Sequence, residues 1–175
     1  MALINSFTTA RLVAERVLPE HFDAIREMDS DPAYMALLGG VRDAAGTAAY
    51  LEKNLEHWDR YGHGLYMLRD AHDHQMTGRC VLRHLDVEGT DEVELGYGFY
   101  PRYWGKGLAT EVARELLRLG REALGLPTLI AVTTRANVGS QRVLVKTGLV
   151  YERDFMHADI PHMLFRSTAR AQQHN

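Results

Sequence analysis

A mixed α/β domain built on a central twisted sheet is the fold class the sequence predicts, and three neighbouring stretches predict it. Val93, Leu95, Tyr97 and Phe99 alternate with Glu94, Gly96, Gly98 and Tyr100, the period of a strand. From Gly107 onward, Leu108, Val112, Leu116, Leu119 and Ala123 recur at helical spacing. Residues 128–134 then form a short, nearly continuous apolar run between polar flanks, as a fully buried strand does. Strand, crossover helix and buried strand make one unit, so the two strands should run parallel with a right-handed crossover.

The remaining elements follow in chain order. Residues 8–17 alternate enough for a first strand, and Pro19 opens a helix to about Met28 with Phe22, Ile25 and Met28 on one face. Residues 31–42 are broken by Pro32 and the pair Gly39 and Gly40, yet carry large side chains such as Tyr34, Met35, Leu37 and Leu38. That is unusual for a plain linker, and a loop packed on the core is one reading of it. A second helix spans residues 47–60, with Tyr50, Leu51, Leu55 and Trp58 facing inward, and Gly62 and Gly64 end it. Strands at 65–69 and 76–85 form a hairpin across a polar turn, and a turn at 86–91 leads into the central strand. Downstream, Asn137 caps a helix that Gly148 stops, and strands at 150–157 and 162–166 close the chain as a hairpin. The sum is about seven strands and about four helices in one domain over residues 1–166, with a polar tail at 167–175 expected to fray.

Composition limits the function classes. With 46% hydrophobic and 25% charged residues and a formal charge of −3, the 175-residue chain has a sizeable core and no bulk attraction for nucleic acid or an anionic membrane. The N-terminus lacks a basic region followed by a long apolar run, and no stretch reaches membrane-spanning length, so a cytoplasmic location is expected. Cys80, the only cysteine, falls on a strand as a small apolar residue would. His72 and His74 sit in a polar turn without ligand spacing on a rigid element, so no metal is expected there.

The chemistry concentrates around residues 94–111. Two glycines on one strand face give no side chain to pack, which suits close approach of a ligand to the backbone. Pro101 ends the strand, and Gly105 and Gly107 stand where the next helix begins. There, unpaired amides and the positive end of the helix dipole favour an anion, with Arg102 and Lys106 adding charge. A dinucleotide fingerprint is excluded because Gly96 and Gly98 lie within the strand and Pro101 takes the third glycine's place. A P-loop is excluded because Gly107, not a hydroxyl residue, follows Lys106.

Arg102, Gly105 and Gly107 match in full the Arg/Gln-x-x-Gly-x-Gly/Ala signature of the GNAT N-acetyltransferase superfamily, and the chain resembles its RimJ/RimL-like branch. A second block, Asn137-x-x-Ser140 leading a helix and Lys146-x-Gly148 ending it, resembles the family's downstream motif. The resemblance implies acetyl-CoA as co-substrate, held by Tyr97, Gly98, Phe99, Arg102, Gly105, Lys106, Gly107, Leu108, Ala109, Thr110 and Asn137. It also implies direct transfer of the acetyl group to a primary amine, either a protein N-terminus or a small molecule, with a homodimer among the expected assemblies, and it gives residues 31–42, between the first two helices, a second reading as a wall of the acceptor site. Many members carry a tyrosine where Leu144 stands, to protonate the departing thiolate; in its absence Ser140 is the expected acid. Glu94, on the face of Gly96 and Gly98, is the expected base, with Glu152, His157 and Asp159 of the last hairpin as alternatives. A solvated Glu94 paired with Arg83 or Arg102 is the other reading of that residue. Leu144 also keeps open a non-catalytic acyl-CoA-binding module as the alternative function.

Overall fold

The computed structural model describes residues 3–157 and 159–168. Its elements are β1 (Ser6–Thr8), β2 (Leu12–Arg16), α1 (Phe22–Ser30), α2 (Pro32–Met35), α3 (Ala44–Tyr61), β3 (Leu65–Asp70), β4 (Met76–Val87), β5 (Thr90–Phe99), α4 (Leu108–Glu122), β6 (Ile130–Thr133), α5 (Val138–Lys146), β7 (Leu149–His157) and β8 (Ile160–Ser167). One eight-stranded sheet runs β1-β2-β3-β4-β5-β6-β8-β7, antiparallel everywhere except between β5 and β6. The mixed α/β class and the parallel crossover pair are as expected.

The eighth strand is β1, which lies almost wholly before the stretch 8–17 expected as the first strand; that stretch supplies β2. A turn joins the two: the Thr9 hydroxyl accepts the Leu12 amide at 3.1 Å and the Thr9 amide bonds the Leu12 carbonyl at 2.9 Å. The fifth helix is α2, which Asp31 nucleates by accepting the amides of Ala33 and Tyr34. Strand β8 runs one residue past the expected boundary because the buried Ser167 hydroxyl accepts the Leu129 amide at 2.9 Å. The rest of the expected tail, from residue 169, lies outside the described residues.

The two faces of β5 meet different helices. Gly98 faces Tyr34 and Leu38 of the α2 region, whereas Tyr97 on the opposite face reaches Ser140 of α5. Helix α4 buries Leu108, Val112, Leu116 and Leu119 in the main core with Val93, Leu95 and Phe99 of β5. It lies close to the chain leading into β6 because Gly120 lacks a side chain: an added Cβ would stand 2.6 Å from Leu129 Cδ2. Cys80 is buried, and burial alone pushes its thiol well above the ordinary range, which leaves it an unreactive core group.

A histidine cluster ties α3 to the sheet. The His84 amide donates to His57 Nε2 at 3.0 Å, so the ring proton sits on His57 Nδ1, which donates to the His63 carbonyl at 2.9 Å. Burial lowers the His57 pKa to about 4, and protonation would cost the bond from His84. Between pH 6.5 and 4 the unfolded chain therefore binds more protons than the folded one, so stability falls as the pH falls through that window. The loss should be on the order of 2 kcal/mol after solvent screening at this partly open site. Urea unfolding from pH 7.5 to 4 should show that slope, and His57→Gln should remove most of it. A wild-type stability flat across the window would contradict the assignment.

Candidate active site

Strands β5 and β6 pair only at Glu94 and Ile130. The Tyr100 amide reaches back to the Thr77 carbonyl of β4 at 3.0 Å, so strand alternation turns the amides of Leu95 and Tyr97 to the other edge, toward β6. Beyond Glu94 that edge has no strand partner, and a cleft of about 670 Å³ opens between the strands. One side of it belongs to residues 36–40, Arg42, Tyr50, Arg79, Val81, Arg83 and Glu94; the other belongs to Tyr97, Thr134, Asn137, Ser140 and Leu144. Residues 36–40 thus form a wall of the cleft, the second of the two readings given above for that segment.

The turn after β5 is built for an anion. A 3-10 turn at Pro101–Tyr103 leads to Gly105 and Gly107, at φ 71° and 79°, a left-handed conformation that any side chain would strain. Among the described residues, no acceptor meets the amides of residues 105–110. The side chains of Leu108 and Thr110 are buried, so these two residues offer only their backbone. Arg102 stacks on the rings of Tyr100 and Tyr103, with its guanidinium carbon 4.4 and 5.2 Å from their centroids, and Lys106 Nζ stands 5.3 Å from Tyr103. Trp104 anchors the turn by donating from Nε1 to the Phe99 carbonyl at 2.8 Å, while the Phe99 side chain stays in the core. Left-handed glycines, free amides and two cations at the start of a fifteen-residue helix fit the pyrophosphate of a CoA thioester.

A brace that the sequence motif does not contain holds this turn. Arg11 Nη1 donates to the Lys106 carbonyl at 2.9 Å, and Arg11 Nε donates to Glu111 Oε2 at 2.7 Å. The Thr9 hydroxyl adds a bond to Glu111 Oε1 at 2.6 Å. Partial burial pushes the Glu111 pKa up, but the bonds from Thr9 and Arg11 outweigh it and hold the carboxyl below its ordinary value. Arg11 and Glu111 lie a hundred positions apart, and nothing in the sequence links them.

Glu94 is buried, at 5% exposure. Its Oε2 accepts Arg83 Nε at 2.9 Å, and that carboxylate holds the Arg83 guanidinium above its ordinary pKa. Its Oε1 has no partner among the described residues and lies 3.9 Å from where a Gly96 Cβ would be. Both Gly96 and Gly98 line the cleft, but the side-chain space expected to be bare there is filled by protein. An added Cβ would stand 2.9 Å from Val81 Cγ2 at Gly96 and 2.8 Å from the Tyr34 hydroxyl at Gly98, and that hydroxyl donates to the Gly98 carbonyl at 3.0 Å. Of the alternative bases, His157 lines the cleft; Glu152 is held by Arg166, and Asp159, at φ 60° in the last hairpin turn, is not among the lining residues.

On the other side, the Tyr97 hydroxyl lies 3.2 Å from Ser140 Oγ. Burial pushes the Tyr97 phenol up to about 12, against a smaller downward pull from Ser140. Asn137 caps α5, its Oδ1 accepting the Ser140 amide at 3.1 Å, which fixes where Ser140 stands. Leu144 is buried and lines the cleft together with this pair. Among the described residues no group of three or more histidine, cysteine or acidic side chains could hold a metal, and no helix is long and apolar enough to cross a membrane.

Comparison with known proteins identifies the family. Residues 11–150 match the family model described as an acetyltransferase (GNAT) domain. The uncharacterized N-acetyltransferase YnaD of Bacillus subtilis is 29% identical over 152 residues, 85% of this chain and 84% of its own. An acetyltransferase structure from Agrobacterium tumefaciens superposes with a TM-score of 0.80 at 25% identity, covering 92% of both chains. RimL, a ribosomal L7/L12 α-N-protein acetyltransferase solved with coenzyme A, shares the fold at a TM-score of 0.76 and 13% identity, over 92% of this chain and 96% of its own. The chain belongs to the GNAT acetyltransferase family and is an N-acetyltransferase that takes its acetyl group from acetyl-CoA.

Proposed function

We propose that the protein moves the acetyl group directly to a primary amine, as a RimJ/RimL-like enzyme. The observation that carries this reading is the division of one cleft, with an unpartnered oxygen of the Glu94 carboxylate on one side and a hydroxyl pair on the other. Glu94 Oε1 takes a proton from the ammonium form of the acceptor, directly or through water, and the freed amine forms the C–N bond as the C–S bond breaks. The Tyr97 amide, turned toward the gap beside β6, donates to the oxygen on which negative charge develops. Ser140 gives a proton to the leaving thiolate, with the Tyr97 phenol behind it, and the second nitrogen proton, lost through solvent as the amide forms, restores the pair. A phenol near 12 is a closer match to a thiol than an alkyl hydroxyl is, so the pair supplies what Leu144 cannot. This pair favours a working enzyme over a non-catalytic acyl-CoA module.

The acceptor belongs to the protein N-termini or the small primary amines. Release of free thiol from acetyl-CoA, followed across a panel of such amines, tests the reading. Tyr97→Phe should lower kcat by about 10²-fold with acetyl-CoA still bound, and adding Ser140→Ala should cost far less than a second such factor, since the two hydroxyls act as a unit. An unchanged kcat in Tyr97→Phe would exclude the phenol from the proton path.

A further inference from the structure

The side of the cleft that faces α1–α3 carries an excess of fixed positive charge. Asp29, at 0% exposure, accepts Arg42 Nη1 at 2.9 Å on Oδ1 and the Thr47 hydroxyl at 3.1 Å on Oδ2. Arg79 Nη1 lies 2.8 Å from the same Oδ1 but off the line of a hydrogen bond. Glu94 is taken by Arg83. Arg42, Arg79 and Arg83 therefore share Asp29 and Glu94, and one positive charge is left over.

That charge gathers around one ring. The guanidinium carbons of Arg42 and Arg79 stand 4.5 and 4.9 Å from the Tyr50 centroid, and Arg83 lines the same cleft as Tyr50. Among the described residues, Arg42 Nε and Nη2, Arg83 Nη1 and Nη2, and the Tyr50 hydroxyl donate to nothing. The Arg42 and Arg83 side chains are 30% and 32% exposed, and both line the cleft. Each guanidinium is thus anchored at one nitrogen and offers free N–H groups at an opening. Its orientation is fixed before a ligand arrives, which lowers the entropy cost of binding.

We infer that Arg42, Arg83 and Tyr50 form an anion subsite and that the acceptor is a small amine that carries a carboxylate. The inference rests on the amine transfer proposed above and adds the substrate class. One surplus charge matches a monoanion, and two guanidinium edges and a phenol lining one cleft match the oxygens of a carboxylate. A polyamine would bring further ammonium groups against this surface, and an amine with no anionic group would leave the free N–H edges of Arg42 and Arg83 without an acceptor.

Thiol release by the full chain with acetyl-CoA, on the common α-amino acids and β-alanine, each paired with its methyl ester, tests this, with spermidine as the polycation. At least one acid should exceed its ester in kcat/KM by about ten- to a hundredfold, the range of a charge-assisted hydrogen bond. In Arg42→Gln that ratio should fall toward one, through the KM of the acid, and Arg42→Lys should restore part of it. The wild-type comparison of acid with ester stands even if a variant fails to fold. Esters or spermidine used as well as the acids, or no acid accepted although acetyl-CoA binds, would overturn the subsite and leave the amine transferase reading in place. Failure of acetyl-CoA to bind would overturn both.

Discussion

A Glu94→Gln variant should acetylate amines about 10²–10⁴-fold more slowly, while acetyl-CoA binds as it does to the wild type. The substitution keeps the size of the side chain, and a glutamine oxygen can still accept Arg83 Nε, so strand β5 and its cross-strand contact survive. What disappears is the free, basic Oε1 inside the cleft. The loss should therefore appear in kcat, and its size should shrink as the pH is raised toward the acceptor's own pKa, where the amine loses its proton without help. A kcat unchanged at neutral pH would remove Glu94 from the proton path and move the role to His157, which also lines the cleft.

The largest loss of stability should follow Asp29→Ala. This carboxylate is fully buried and is shared by Arg42, Arg79 and Thr47. Its removal leaves Arg79, only 7% exposed, with no compensating charge. Breaking a buried pair from one side costs about 3–5 kcal/mol, since the remaining ion stays desolvated. Arg79 has little else to turn to: its Nη2 lies 3.5 Å from the Met35 sulfur, a weak acceptor. Urea unfolding at neutral pH should show the loss, and a change below about 1 kcal/mol would mean that Arg79 finds water or another partner. The same variant should misplace residues 36–42, because the Arg42 amide bonds the Asp29 carbonyl and its side chain bonds the Asp29 carboxylate.

The fold was legible wherever a pattern repeats. Alternation marks β5, apolar spacing marks α4, and the two together give the parallel crossover. Strand β1 and the turn at Thr9 were not legible, because β1 is three residues long and the turn rests on two bonds between Thr9 and Leu12 that no repeat marks. Within the site, the motif points to the cradle residues through Gly105 and Gly107, whose left-handed backbone explains the spacing. The motif is silent about Arg11 and Glu111, since long-range ion pairs leave no local pattern. Cross-strand alternation does allow Arg83 to meet Glu94, and that is the pairing found. The meeting of Tyr97 with Ser140 depends on how α5 sits against β5, which no spacing encodes. Reading Gly96 and Gly98 as bare for a ligand missed that a side chain elsewhere in the fold can fill a glycine's space, as Val81 and Tyr34 do.

The central claim is that the turn from Gly105 into α4 holds the CoA moiety, and calorimetric titration of acetyl-CoA into wild type and Gly107→Trp tests it most directly. Gly107 is the cap residue of α4 at φ 79°, so tryptophan there both strains the turn and covers its amides. Micromolar binding by the wild type, lost in the variant while the fold is kept, is the predicted result. Equal binding by both proteins would contradict the account, because the thioester would then be held somewhere other than this cradle.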